Sequence, residues 1–378
     1  MILGAAGLRA IQAVRHRPDR TPSASHSSMA AMDHSNGQGI DWSHASDVDL
    51  DVAPVFLTAS REGLGAALDS LATLSKRDAK VAALGPAGLH QVAHMLGRVA
   101  IERAHNDPLV FRECRPGFLS GCQHGVMEGY FATHPPVDSA SLAALCNRVA
   151  PSSPPIAIHE CAHGMGHGVV EVTGGDIDRA LGLCGALGNG DLWRECTDGV
   201  FMSAVQSDIA SFVKGGRNNG RRCDRFDKRY APSCWSYEAA FSLTRDAKDL
   251  TKSLAECDDA PSNAVAACYW GFGKQSAGLY PDQPDRIASA CREGKSNRGA
   301  DCRAGAVAYY TDVSWTADGA VSFCRILKPN EKNDCYDALG VAMRAMQPDN
   351  GSLERECRKS EAVYVARCIT SGKAAKAI

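Results

Sequence analysis

The sequence predicts an all-α fold, a solenoid of helix hairpins with a 33–34-residue period in which each hairpin is stapled by a disulfide. Two observations carry this. The chain of 378 residues holds 16 cysteines, and from residue 223 onward they fall in pairs eleven apart: Cys223/Cys234, Cys257/Cys268, Cys291/Cys302, Cys324/Cys335 and Cys357/Cys368. Successive pairs recur every 33 or 34 residues, the length of one helix-turn-helix unit in a repeat array. Aromatic residues make up only 6% of the chain while Ala and Gly are abundant, which favours close-packed helices over a β-sandwich.

Upstream the same rhythm continues with insertions, as Cys184/Cys196, Cys146/Cys161 and Cys114/Cys122, so that no cysteine is left over. Runs such as Ser253-Leu254-Ala255-Glu256-Cys257 end amphipathic stretches, whereas Cys268-Tyr269-Trp270-Gly271 sits near the start of the next. Each pair is therefore expected to join the end of one helix to the beginning of its partner. Zinc-binding cysteines sit two to four apart and combine in fours, a pattern these pairs do not show. Disulfides at this density belong outside the reducing cytosol, so an extracytoplasmic location, periplasmic or secreted, is expected.

In chain order, Met1 to Leu8 is apolar, but Arg9, Arg15, His16 and Arg17 follow at once, which makes a poor export signal. Residues 1–50 are expected to form a flexible tail, since 18–50 are rich in Ser, Asp, Ala, His and Gly without hydrophobic period. Within it Met29, Met32-Asp33-His34-Ser35 and His44 resemble the Met/His tracts of periplasmic copper-handling proteins. Residues 51–212 are read as N-terminal repeats and 213–378 as C-terminal repeats. Residues 54–77 and 80–104 read as two amphipathic helices, with Pro86 disturbing the start of the second.

The repeat length and hairpin layout resemble Sel1-like and tetratricopeptide arrays, particularly secreted cysteine-rich ones, over roughly residues 110–370. The tetratricopeptide pattern of Trp, Leu-Gly and Tyr is absent. The resemblance implies a curved stack of helix pairs with a concave binding face, and no chemistry.

Aligning the units on the second cysteine of each pair locates candidate chemistry. Cys122 is followed by His124, Gly125 and Glu128; Cys161 by His163, Gly164 and His167; Cys196 by Asp198, Gly199 and Met202. Equivalent positions of stacked repeats lie side by side, so His124 and Glu128 are expected to face His163 and His167 across one seam. The glycine after the first position leaves room for a neighbouring helix or a ligand to approach. His159, one turn before His163, and His94, paired with His90 four residues earlier, extend the cluster.

All twelve histidines lie at or before His167, and at the corresponding positions the later units offer Ser236 and Ala240, Trp270 and Lys274, then Ala304 and Ala308. These read as packing or surface residues, which confines the candidate site to units before Met202. Neutral imidazoles with a carboxylate suit a transition metal ion, zinc, copper or iron. The expected metal ligands are His94, His124, Glu128, His159, His163 and His167, with Glu128 and Glu160 as candidate catalytic groups. His159-Glu160-Cys161-Ala162-His163 also resembles the HExxH motif of zinc peptidases, which implies Glu160 as general base. His167 departs from the metzincin pattern, coming four residues after the second histidine instead of six.

The expected function is a metal-dependent enzyme, hydrolase or oxidoreductase, acting on a small molecule or peptide. Two alternatives stand beside it: a helical-repeat scaffold that binds a peptide or protein on its concave face, and a copper or zinc delivery protein. Trp235, Tyr269, Trp270, Tyr309 and Tyr310 are candidates to line such a face or to fill the core. A formal net charge of -2 gives no footprint for nucleic acid, and no apolar run approaches a membrane span.

Overall fold

The computed structural model describes residues 52–134, 139–150, 154–188, 190–213, 223–246, 249–294 and 297–375, and among them the regular structure is entirely helical. The tail expected over 1–50, with its Met/His tract, lies outside them. The two helices expected near the start are each divided. Gly63, at φ +94°, separates α1 (Ala53–Glu62) from α2 (Leu64–Arg77), and Gly85, at φ +62°, separates α3 (Ala79–Ala83) from α4 (Gly85–Arg103). Only glycine adopts such φ values without strain, and Pro86 then occupies the first turn of α4, where no amide hydrogen is needed.

Thereafter longer helices alternate with short ones. The long ones are α5 (Gly121–Thr133), α7 (Ile156–Val172), α9 (Asp191–Val213), α10 (Ala231–Arg245), α12 (Val265–Leu279), α14 (Gly299–Asp312), α16 (Pro329–Met346) and α18 (Val365–Ala374). Each packs on the next, beginning with α4 on α5, so they form one continuous row that passes residue 213 as α9 against α10. The short helices α6 (Ser139–Val149), α8 (Ile177–Cys184), α11 (Leu250–Ala255), α13 (Pro284–Ala290), α15 (Asp318–Arg325) and α17 (Asn350–Cys357) are the second limbs of the hairpins. Asp176, Asp249 and Asp349 cap α8, α11 and α17 by accepting backbone N–H bonds from Arg179, Lys252 and Ser352.

All sixteen cysteines are joined in the eight pairs the spacing predicts, with Cα separations between 5.4 and 5.7 Å. Each links a short limb to the following long helix. In the Cys114 and Cys223 units the short limb is a 3₁₀ turn, Pro108–Glu113 or Cys223–Arg225, in place of an α-helix.

Long helices meet backbone to backbone at glycines. A Cβ on Gly125 would sit 1.9 Å from the carbonyl oxygen of His94, and one on Gly199 would sit 2.1 Å from that of His163. The glycine of each unit therefore serves helix packing. Of the aromatic residues considered for a binding face, Trp235, Tyr269 and Tyr309 are buried in the core. Trp270 and Tyr310 remain part-exposed, and the Tyr310 hydroxyl donates to the Pro281 carbonyl.

The row curls back on itself. The Phe118 amide, just before α5, donates to the Val313 carbonyl, just after α14, at 3.3 Å. Phe118, Leu119 and Ser120 all hold positive φ, between +52° and +59°, making a left-handed turn that costs non-glycine residues roughly 1 kcal/mol apiece or more. Residues some two hundred positions apart in the chain thus touch, and α5, α7, α9, α10, α12 and α14 surround an interior.

Candidate metal centre

Three adjacent helices, α4, α5 and α7, bring five imidazoles together. The rings of His124 (α5), His163 and His167 (α7) form a nearly equilateral triangle, with centroids 4.9, 5.1 and 5.1 Å apart. His90 and His94 of α4 close it from one side, His90 at 5.4 Å from His124 and His94 at 6.4 Å from both His124 and His167. The juxtaposition follows from the repeat: His124 and His163 occupy one register position after their cysteines, Glu128 and His167 another, and stacking places them side by side.

The surroundings hold several of these rings in defined orientations. His90 Nδ1 donates to the Phe118 carbonyl at 3.0 Å, so the left-handed turn that closes the ring of helices also positions the cluster. His167 Nδ1 lies 2.7 Å from Ser203 Oγ of α9, leaving its buried Nε2 without a partner. His124 Nε2 lies 3.0 Å from Glu160 Oε2, leaving its buried Nδ1 without a partner. His163 Nε2 faces Met202 Sδ at 3.4 Å, and its Nδ1 is 3.9 Å from Glu195.

Burial, followed by the mutual influence of the rings, keeps His124 and His167 well below the ordinary histidine range. Burial likewise lowers His90 and His163 to about 3, with His94 and Lys274 adding to the effect respectively. At neutral pH these four imidazoles are therefore uncharged, the form that donates a lone pair to a metal.

Glu128 is not free to act alone. His94 Nε2 binds its Oε1 at 3.0 Å, Arg98 binds its Oε2 at 3.1 Å, and His167 Nδ1 stands 3.7 Å away. Burial alone raises its pKa, but His94, His167 and Arg98 outweigh that and hold it at about 2. His159, in the HExxH stretch, lies beside Glu195, with Nδ1 3.5 Å from Oε1.

Glu160 behaves oppositely. Burial, with Asp312 and Glu195, pushes its carboxyl up to about 8, against the opposing pull of Lys274 and a hydrogen bond with Ser120. Those partners were not all foreseeable: Lys274 is no surface residue. It reaches Asp312 of α14 at 2.6 Å and acts electrostatically on Glu160 and Glu195 from across the ring. Its side chain is part-buried, with 27% of its surface accessible. Asp198, whose carboxyl burial and Glu195 push up to about 7, feels Lys274 too, and the Tyr237 hydroxyl is raised by burial and then by Asp198, Glu195, Glu160 and Asp312. The candidate site is thus wider than the units before Met202, with its far wall supplied by α12 and α14.

Among the described residues, no group of three or more His, Cys, Asp or Glu side chains stands in an arrangement that could hold a metal ion as it is. The ring centroids of the triangle are 4.9 to 5.1 Å apart. With a ring nitrogen about 2.0–2.1 Å from an ion, three tetrahedrally placed imidazole centroids lie about 5 Å apart. No helix among the described residues is long and apolar enough to cross a membrane. No protein-family model, curated protein or solved structure matches this chain.

Proposed function

We propose that the protein is an extracytoplasmic metalloenzyme whose transition metal ion is held by His124, His163 and His167. The observation that carries this reading is the imidazole triangle, in which neutral buried rings are spaced as ligands are and two buried nitrogens, His124 Nδ1 and His167 Nε2, lack partners. A buried polar nitrogen without a partner costs about 1–3 kcal/mol, which a bound ion would offset. Rotation about the broad χ2 torsion turns a ring nitrogen inward with little displacement of the ring. Glu160 on His124 and Ser203 on His167 supply the outer hydrogen bonds that metal-bound histidines use.

Glu128, fixed by Arg98 and His94, supports His167 in this proposal and does not bind the ion. Glu160, hydrogen-bonded to His124, is the proton acceptor or donor for water or substrate beside the ion. Eight disulfides stapling helical repeats support the extracytoplasmic part of this reading. A small molecule or a peptide is the proposed class of substrate.

Elemental analysis of protein made in an oxidising compartment tests it, beside a His163→Ala/His167→Ala variant. About one equivalent of a transition metal, lost in the variant while helicity and disulfides persist, is the expected result. Metal-free wild-type protein that stays empty when offered zinc, copper or iron overturns it.

A further inference from the structure

We infer that the ion at this centre is copper in its reduced, monovalent form, and that Met202 is its sulfur ligand. The inference rests on the metal-centre reading and deepens it. Met202 lies on α9 in the register position that Glu128 occupies on α5 and His167 on α7, so the repeat presents a thioether where its neighbours present a carboxylate and an imidazole. Its Sδ faces His163 Nε2 at 3.4 Å, about the separation of a nitrogen and a sulfur donor bound to one ion, and the side chain is 4% exposed.

The proposed donors are three imidazoles and one thioether, none of them anionic. Of the nearby carboxylates, Glu128 is held by Arg98 and His94, Glu160 by His124, and Glu195 stands by Nδ1 of His163, whereas Nε2 is the nitrogen that faces Met202. A hard cation that prefers oxygen finds no free oxygen ligand in this set. Thioether sulfur is soft and selects monovalent copper, whereas zinc draws its affinity from imidazole, thiolate or carboxylate and gains little from it. The other explanation of the contact is packing of sulfur against an aromatic ring, worth roughly 0.3–1.5 kcal/mol and independent of any metal. Leucine at position 202 keeps the packing volume and removes the donor, so it separates the two.

The full-length, disulfide-intact protein and its Met202→Leu variant are each titrated with monovalent copper, kept reduced by ascorbate, against a chromophoric copper chelator. Zinc is titrated in parallel. Circular dichroism and a thiol count establish that both proteins are folded and fully disulfide-bonded. The expected result is one equivalent of copper bound, with affinity reduced about tenfold or more in the variant and zinc affinity changed less than about threefold. X-ray absorption of the copper-loaded wild type shows a sulfur neighbour that the variant lacks. Equal copper affinity in the two proteins, or a copper spectrum without sulfur, overturns the assignment of Met202. Stoichiometric zinc binding without copper binding overturns the choice of ion and leaves the metal centre standing. Failure to bind any of these ions overturns both.

Discussion

Gly199 shows how much of this site rests on single atoms. A methyl group there would fall 2.1 Å from the carbonyl oxygen of His163 and 3.1 Å from the Cα of Gly166, both backbone atoms that cannot swing aside. Gly199→Ala must therefore part α7 from α9, at a cost of about 1–3 kcal/mol or more, read as a lower chemical-denaturation midpoint. Because the same shift draws His163 away from Met202, copper uptake falls with it, whereas Gly182→Ala, which lies within α8 and meets nothing within 4 Å, does not lower the midpoint and leaves copper uptake unchanged. At this scale much was legible beforehand. Helical spacing puts His163 and His167 one turn apart, and the cysteine register sets His124 and Glu128 beside them. The partners of each side chain were not legible. That Arg98 and His94 would claim Glu128, or that His159 would turn toward Glu195, depends on rotamers and on neighbours from other helices, which no spacing rule encodes.

Among the elements, α7 carries three histidines and is tied to α6 by Cys146–Cys161, whose second cysteine sits inside the His159–His163 stretch. A disulfide that closes a loop of this length stabilises the fold by about 3 kcal/mol, chiefly by restricting the unfolded chain. Cys324–Cys335 joins α15 to α16 in the same way, far from the imidazoles. Replacing either pair with alanine is expected to lower the melting temperature by a similar amount. Only the Cys146→Ala/Cys161→Ala variant should also lose metal occupancy, as elemental analysis of folded protein well below its melting temperature would show; equal occupancy in the two would mean that α7 is positioned without its staple. The helical rows and the staples were legible because the period is written in the cysteines. The breaks at Gly63 and Gly85 were less so, since hydrophobic period runs through them and only the backbone reveals φ values of +94° and +62°.

For the molecule as a whole, the decisive feature is curvature, which brings residues 117–120 against 313 and makes a shared interior of charges that are remote in sequence. Small rotations between repeats accumulate into that closure, which is why Lys274 reads as a packing or surface residue until the ring is seen. Asp198 reports on the interior most cleanly. Its carboxyl is raised from an ordinary value near 3.8 to about 7, first by burial and then by Glu195, with Ser233, Arg194 and Lys274 pulling the other way. Between those two pH values the folded protein binds more protons than the unfolded chain, so stability falls as pH rises. The contribution is complete below the unfolded value and lost once pH passes about 7. Asp198→Asn removes this dependence while keeping the side chain's size and its reach to Ser233. The variant should match the wild type near pH 3.5 and exceed its stability by about 2–4 kcal/mol at pH 8, in denaturant titrations of metal-free protein. A constant difference across that range would show that burial and Glu195 do not raise the Asp198 carboxyl in the folded protein.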